Sequence, residues 1–316
     1  MALVLVKRLA QGCMTLLLVS GFVFAATNLL PGDVAAALLG EHATPEALAA
    51  IRRSLGLNQP ALYRYWIWLT HFVSGDLGTS LANGQPIGAI VAIRFYNTLF
   101  LAAVTAAVSV PISILLGALA AAHRGRWLDR MVSGATLVLV SVPEFFLGYL
   151  LIMLLSRYLA VFPSMAQIPP DASLTQHLFA IGLPVLTLAL GVMAYLVRMV
   201  RAAIVEVMSA SYIEMALLQG ASEHEIVLRH ALPNVIGPLI NIIVFNLAYL
   251  VVGVIIVEVI FVYPGIGQLM ADAVAARDVT TAQACALIFA VTYVGLNITA
   301  DLVATLTNPR LRVRAA

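Results

Sequence analysis

The segment AAIVEVMSASYIEMALLQGASEHEIVLRHALPN, residues 202–234, is a polar island in an apolar chain. It gathers Glu206, Glu214, Glu223, Glu225 and Arg229 between two long apolar runs. Val205, Met208, Tyr212, Met215 and Leu218 recur at helical spacing. Gly220 breaks that pattern, and Ser222 restarts it as an N-cap with Glu225 at the capping-box position. Leu232-Pro233-Asn234 is expected to close this second helix before the next apolar run. The segment therefore predicts a helix-turn-helix protruding between two membrane spans.

Working outward, the whole chain shares the apolar character of those flanks. Of 316 residues, 62% are apolar and 10% charged, and the mean hydropathy is +1.01. A soluble domain runs at about 45–50% apolar and about 25% charged, so a water-facing globule is excluded. A bilayer-spanning helix needs about 20 apolar residues. About six such runs are present, near 9–30, 97–122, 131–156, 178–200, 235–262 and 282–306. The expected fold is an all-α membrane protein with about six transmembrane helices. Lys7 and Arg8 before the first run imitate a secretory signal, but the run is too long for one and is expected to be retained.

Basic residues set the orientation. With the N-terminus inside, the inner flanks carry Lys7, Arg8, Arg124, Arg126, Arg130, Arg198, Arg201, Arg229, Arg310, Arg312 and Arg314. The short outer flanks carry only Arg157 and Arg277, while Arg52, Arg53, Arg64 and Arg94 fall in a long segment that translocates regardless of charge. Both termini are therefore expected in the cytoplasm. The expected division is 1–30 for the N-terminus and first span, 31–96 for an external segment, 97–306 for the transmembrane core with its loop at 202–234, and 307–316 for the tail.

In the external segment, Pro31-Gly32-Asp33 stops the first span and Thr44-Pro45-Glu46 caps a helix over about 45–55. A second helix, Tyr63–Val73, carries Tyr63, Tyr65, Trp66, Trp68 and Phe72, a composition suited to the membrane interface. Gly75-Asp76-Leu77-Gly78 turns the chain back.

Several chemistries are excluded. The sole lysine, Lys7, is not part of a phosphate-binding loop, so the chain is not itself an ATPase. Gly78-Thr79-Ser80-Leu81 matches the serine motif of six-span intramembrane proteases, but the sixth run holds no histidine to act as base. Neither Cys13 and Cys285 nor the six scattered histidines form a metal-ligand pattern, and no metal site or catalytic residue is expected. Acids inside apolar runs are costly and mark function by default. Glu144, after Pro143, is a candidate for lining a substrate path or for proton coupling. Glu258 lies near the outer end of the fifth run, and Asp301 near the inner end of the sixth.

Glu214-Met215-Ala216, three residues, Gly220, eleven residues and Leu232-Pro233 resemble the EAA loop of ABC importer permeases. The resemblance extends along nearly the whole chain to the dipeptide, oligopeptide and nickel permease family. It covers Pro31-Gly32-Asp33, Thr44-Pro45-Glu46, Leu55–Pro60 and Gly75–Ser80. Later it covers Arg229–Asn234, Glu258–Gly267 and Asn308-Pro309-Arg310. Met215 stands where the general pattern has alanine, His230 where it has isoleucine, and Leu217 and Gln219 where basic residues are usual.

The resemblance implies a permease subunit of an ATP-driven importer, located in the bacterial inner membrane. Its implied partners are a second homologous permease, two ATPase subunits carrying ATP and magnesium, and an external solute-binding protein. No cofactor is implied on this chain. Glu214, Met215, Ala216, Gly220, His230, Leu232 and Pro233 are its expected ATPase-coupling residues. Glu144, Glu258, Tyr263, Pro264, Gly265 and Gly267 are candidates for the path or its gate. A secondary transporter acting alone is the alternative, although no inverted repeat is evident.

Overall fold

The computed structural model describes residues 2–29, 44–54, 56, 58–169, 172–220 and 225–307. Among these residues every element is a helix, and the one β-type pairing is an isolated antiparallel bridge between Thr79 and Pro86. The helices are α1 (Ala2–Leu29), α2 (Pro45–Ser54), α3 (Ala61–Val73), α4 (Ile87–Ala122), α5 (Trp127–Ser141) and α6 (Glu144–Leu151), the last extended by a π-helical stretch, Ile152–Tyr158. They continue as α7 (Leu174–Ala180), α8 (Gly182–Val207) and α9 (Ser211–Leu218). A π-helical segment, Ile226–Ala231, then leads to α10 (Leu232–Ile260), α11 (Ile266–Ala275) and α12 (Val279–Thr307).

Among the described residues, four helices are long and apolar enough to cross a membrane: Val6–Leu29, Ile87–Ala122, Gly182–Val207 and Val279–Val303. Two more candidates are bent pairs, Trp127–Ser141 with Glu144–Tyr158 at 104° and Gly237–Ala248 with Gly253–Ile260 at 48°. The third apolar run thus holds a sharp break. Val142 is extended and Pro143 follows it, because proline lacks the helical N–H and pushes the preceding residue out of helical geometry.

Of the limits that differ from the hydropathy reading, two bear on the site. The second span begins at Ile87, ahead of the apolar run near 97, because Pro86 launches the helix and Ile87 is fully buried. The fourth runs on to Val207, so Arg198 and Arg201 lie inside a membrane helix. A third difference is at Leu232-Pro233, which was expected to end a helix. The π-helical turn Ile226–Ala231 instead passes directly into α10, with Pro233 in its first turn. Proline is tolerated there because N–H groups of a first turn need no intrahelical acceptor.

α8 is the centre of the bundle. Its most apolar window is 61% buried, against 28% or less in the other straight spans. α4 packs on it closely at Gly117, where a Cβ would stand 2.7 Å from the Val200 side chain and 2.9 Å from the Val197 carbonyl oxygen. Small residues let membrane helices approach in this way. Below this contact Ala118, Ala121 and Ala122 bury against Val200, Ile204, Ala231, Val235 and Leu239.

α1 runs along α12, joined by Arg8–Asp301 at 2.9 Å and by Gln283 donating to Thr27 at 2.6 Å. α4 and α12 both start in the cluster around Ile87, Ile266 and Cys285. They run toward the end of the bundle where α8 finishes, so both ends of the described chain share the face carrying the 208–231 connection.

The helices expected at 45–55 and Tyr63–Val73 appear as α2 and α3. The Ala47 N–H donates to the Thr44 hydroxyl at 3.3 Å. α3 lies against α1, with Tyr65 paired to Ser20 at 2.9 Å and Phe24 stacked near Tyr65 and Trp68. Pro31-Gly32-Asp33 and Asn308-Pro309-Arg310 lie outside the described residues, as does Ser222, the N-cap of the capping box expected with Glu225.

Candidate functional site

The described parts of the connection, 208–220 and 225–231, are seated on the ends of three spans. Ile213, Ile226 and Ala231 are buried, while Val205, Val207, Met208 and Leu232 pack onto the cluster formed by α4, α8 and α10. The helical stripe read from the sequence is thus divided. Val205 and Met208 face the bundle, and Tyr212 and Met215 are 47% and 57% exposed. Gly220, with φ +87°, ends the connection's first helix, a conformation open to glycine and costly for other residues. Glu225 and Arg229 pair at 2.8 Å one turn apart. Glu214 and Ala216 lie on α9, His230 on the π-helical turn and Pro233 in α10; their side chains lie outside the described residues.

A bidentate pair not foreseen from the sequence underpins this face. Arg201 donates through Nε and Nη2 to the Asp129 carboxylate, the second bond at 2.7 Å. The same carboxylate accepts from the Gly125 N–H at 2.9 Å and from Ser133 at 3.3 Å. This ties the turn between α4 and α5 to the last turns of α8, next to the connection. The partners are 72 residues apart in sequence, and no local pattern links them.

At the opposite end, Glu258 is fully buried and spans two elements. One carboxyl oxygen accepts from Thr98 at 2.6 Å, and the other accepts the N–H groups of Gly267 at 2.7 Å and Gln268 at 3.2 Å. It caps the N-terminus of α11, where free N–H groups and the helix dipole favour negative charge. The Ile266 N–H donates to Thr98 at 2.9 Å, Tyr263 donates to the Asn97 carbonyl at 2.8 Å, and Asn97 donates to the Pro264 carbonyl at 2.8 Å. Glu258, Tyr263, Pro264, Gly265 and Gly267 therefore form one strut between α10, α11 and α4. A Cβ on Gly267 would meet the Ile255 backbone at 2.7 Å.

A second carboxylate ties the outer connection down. Asp278 accepts from the Ser80 hydroxyl, the Leu81 N–H at 3.1 Å, Thr280 at 2.9 Å and the Thr281 hydroxyl at 2.7 Å. Burial opposes its charge, but these hydrogen bonds outweigh that and hold the carboxyl below its ordinary value. Ser80, the serine of the protease-like match, thus serves as an anchor between the 75–86 turn and α12.

Glu144 stands apart from these networks. It opens α6 just after the break at Pro143, and its Oε1 lies 3.0 Å from where a Cβ on Gly191 would be. Gly191 is thus the gap in α8 that receives the carboxyl. Among the described residues, no three histidine, cysteine or acidic side chains are grouped as metal ligands.

Residues 113–313 match the family described as binding-protein-dependent transport system inner membrane component, and residues 1–102 match its N-terminal region. A putative peptide transport system permease protein of Brucella abortus is 35% identical over 312 residues, covering 99% of each chain. A glutathione transport system permease protein of Salmonella paratyphi A is 34% identical over 308 residues, covering 98% of each.

Proposed function

From its membership of the family of binding-protein-dependent transport system inner membrane components, which makes this chain a permease subunit of an ABC importer rather than an enzyme, we propose that it forms half of a peptide translocation path. Membership implies partnership with an ATPase and a solute-binding protein. The finer assembly proposed is a homologous second permease, two ATPase subunits that hold the ATP and magnesium, and no cofactor on this chain. A transporter acting alone is not favoured. Relatives named for peptide and glutathione transport support a peptide or peptide-like cargo.

One observation carries the coupling role: a glycine-ended helical connection rests on α4, α8 and α10 while Tyr212 and Met215 stay exposed. An apolar helix face of this kind fits a groove on an ATPase, with Glu214, Ala216, His230, Leu232 and Pro233 completing the contact and its stem. Closure of the ATPase pair then moves the helix and, through packed rigid elements, the spans. This face is placed in the cytoplasm, with the arginine-poor face outside. The Glu258 strut with Tyr263, Pro264, Gly265 and Gly267 is the proposed outer gate support.

The test is uptake by proteoliposomes containing this chain, its partner permease, the ATPases and the binding protein. Peptide accumulation that requires ATP hydrolysis is expected. Accumulation driven by a proton gradient without ATP would overturn the reading.

A further inference from the structure

α8 is buried on nearly every side, yet one strip of it is open. Tyr195 is 50% and Met199 48% exposed, and Arg198 and Ala202 are exposed beside them. Gly191, Tyr195, Arg198 and Ala202 follow at intervals of four, three and four residues and therefore share one face of the helix. At the upper end of this strip the Glu144 carboxyl occupies the gap at Gly191.

The height of the two charges matters. α8 has 26 residues, about 39 Å at 1.5 Å each, so its midpoint falls between Ala194 and Tyr195. Gly191, with Glu144, and Arg198 lie about 5 Å on either side of it. With the helix midpoint set at the bilayer midpoint, both charges fall within the hydrocarbon core, about 30 Å thick. Neither forms an ion pair or hydrogen bond among the described residues. An unpaired guanidinium facing acyl chains at that depth is costly, so such groups face water-filled cavities or charged ligands.

Resting on the peptide-permease reading, we infer that Glu144 and Arg198 are a two-ended recognition site for a short zwitterionic peptide: Glu144 receives the α-ammonium group, Arg198 the α-carboxylate, and Tyr195 lies under the peptide backbone. The spacing fits. Seven residues of helix separate the two levels by about 10 Å, and an extended chain spans about 3.3–3.6 Å per residue, so a di- or tripeptide matches both charges once the side chains reach in. Guanidinium and carboxylate also pair with two parallel hydrogen bonds, which selects a carboxylate over an amide.

The experiment compares trialanine, N-acetyl-trialanine and trialanine amide in the complete reconstituted transporter, with the same binding protein throughout so that its own selectivity cancels between variants. Glu144→Gln is expected to lower the preference for trialanine over the N-acetyl form about tenfold and leave the preference over the amide intact. Arg198→Gln is expected to do the reverse, and Arg198→Lys to keep most of the preference over the amide. Unchanged preferences in both glutamine variants would overturn the inference. Loss of complex assembly in Arg198→Gln would place that guanidinium against the second permease and overturn it as well. A failure of ATP-dependent trialanine uptake in the unsubstituted transporter would instead remove the peptide reading, and this inference with it.

Discussion

The Glu258 carboxyl occupies the space that a side chain on Gly265 would need. The glycine and the acid are thus a matched pair, one leaving the room and the other filling it with the cap of α11.

Gly265→Ala forces the carboxylate off the α11 N–H groups, and overpacking of this kind costs about 1–3 kcal/mol. A lower melting temperature of the purified protein is expected. Combining it with Glu258→Ala should cost less than the sum of the two single changes, since both act on one contact. Strict additivity in the same melting experiment would refute the pairing.

Gly220 has a left-handed backbone. Gly220→Ala is expected to destabilise the connection by about 1–2 kcal/mol, and Gly220→Pro and Glu214→Lys to abolish uptake while membrane insertion persists. Immunoblots of membranes beside uptake rates check this, and wild-type uptake in Gly220→Pro would remove the coupling role.

Arg201→Gln leaves the Asp129 carboxylate, 6% exposed, without its cation. Breaking a buried pair costs about 3–5 kcal/mol, and less is expected here because Arg201 is 29% exposed. The expected readout is ATP hydrolysis that no longer drives proportionate uptake, since the turn at Gly125 loses its link to α8. A normal ratio of peptide moved to ATP consumed would show the pair to be merely structural.

Asp278 is held below its ordinary value of 3.8 by its hydrogen bonds. A depressed carboxylate contributes stability that is complete above its unfolded value and disappears as the pH falls through the lower folded one. The anchor between Ser80 and α12 should therefore be intact through the neutral range and loosen only below about pH 4. Protease cleavage within residues 75–86, followed against pH, reads this directly. Asp278→Asn should be cleaved readily at all pH values, and resistance equal to wild type at pH 7 would exclude the anchor.

Much of the architecture was legible before any coordinates. The apolar runs, the helices expected at about 45–55 and 63–73 and the polar island all follow from local pattern. Span limits were less legible. Hydropathy does not register that Pro86 launches a helix early or that α8 continues past Arg201 to Val207, because those choices depend on what the helix packs against. Glu258 illustrates the same limit: its sequence neighbourhood marks it as an acid at membrane depth, whereas its function as a cap requires Thr98, 160 residues away.

By itself, then, the sequence determined a helical membrane protein, the location of its polar connection and the resemblance that the relatives bear out. Those properties are carried by composition, period and spacing, which are local. Tertiary structure alone decided that Asp129 meets Arg201, that Ser80 meets Asp278, and that Glu144 of α6 lies against the face of α8 that carries Arg198. Burial of a charge must be compensated wherever the fold brings a donor or acceptor, and that partner is chosen by helix packing rather than by neighbours along the chain.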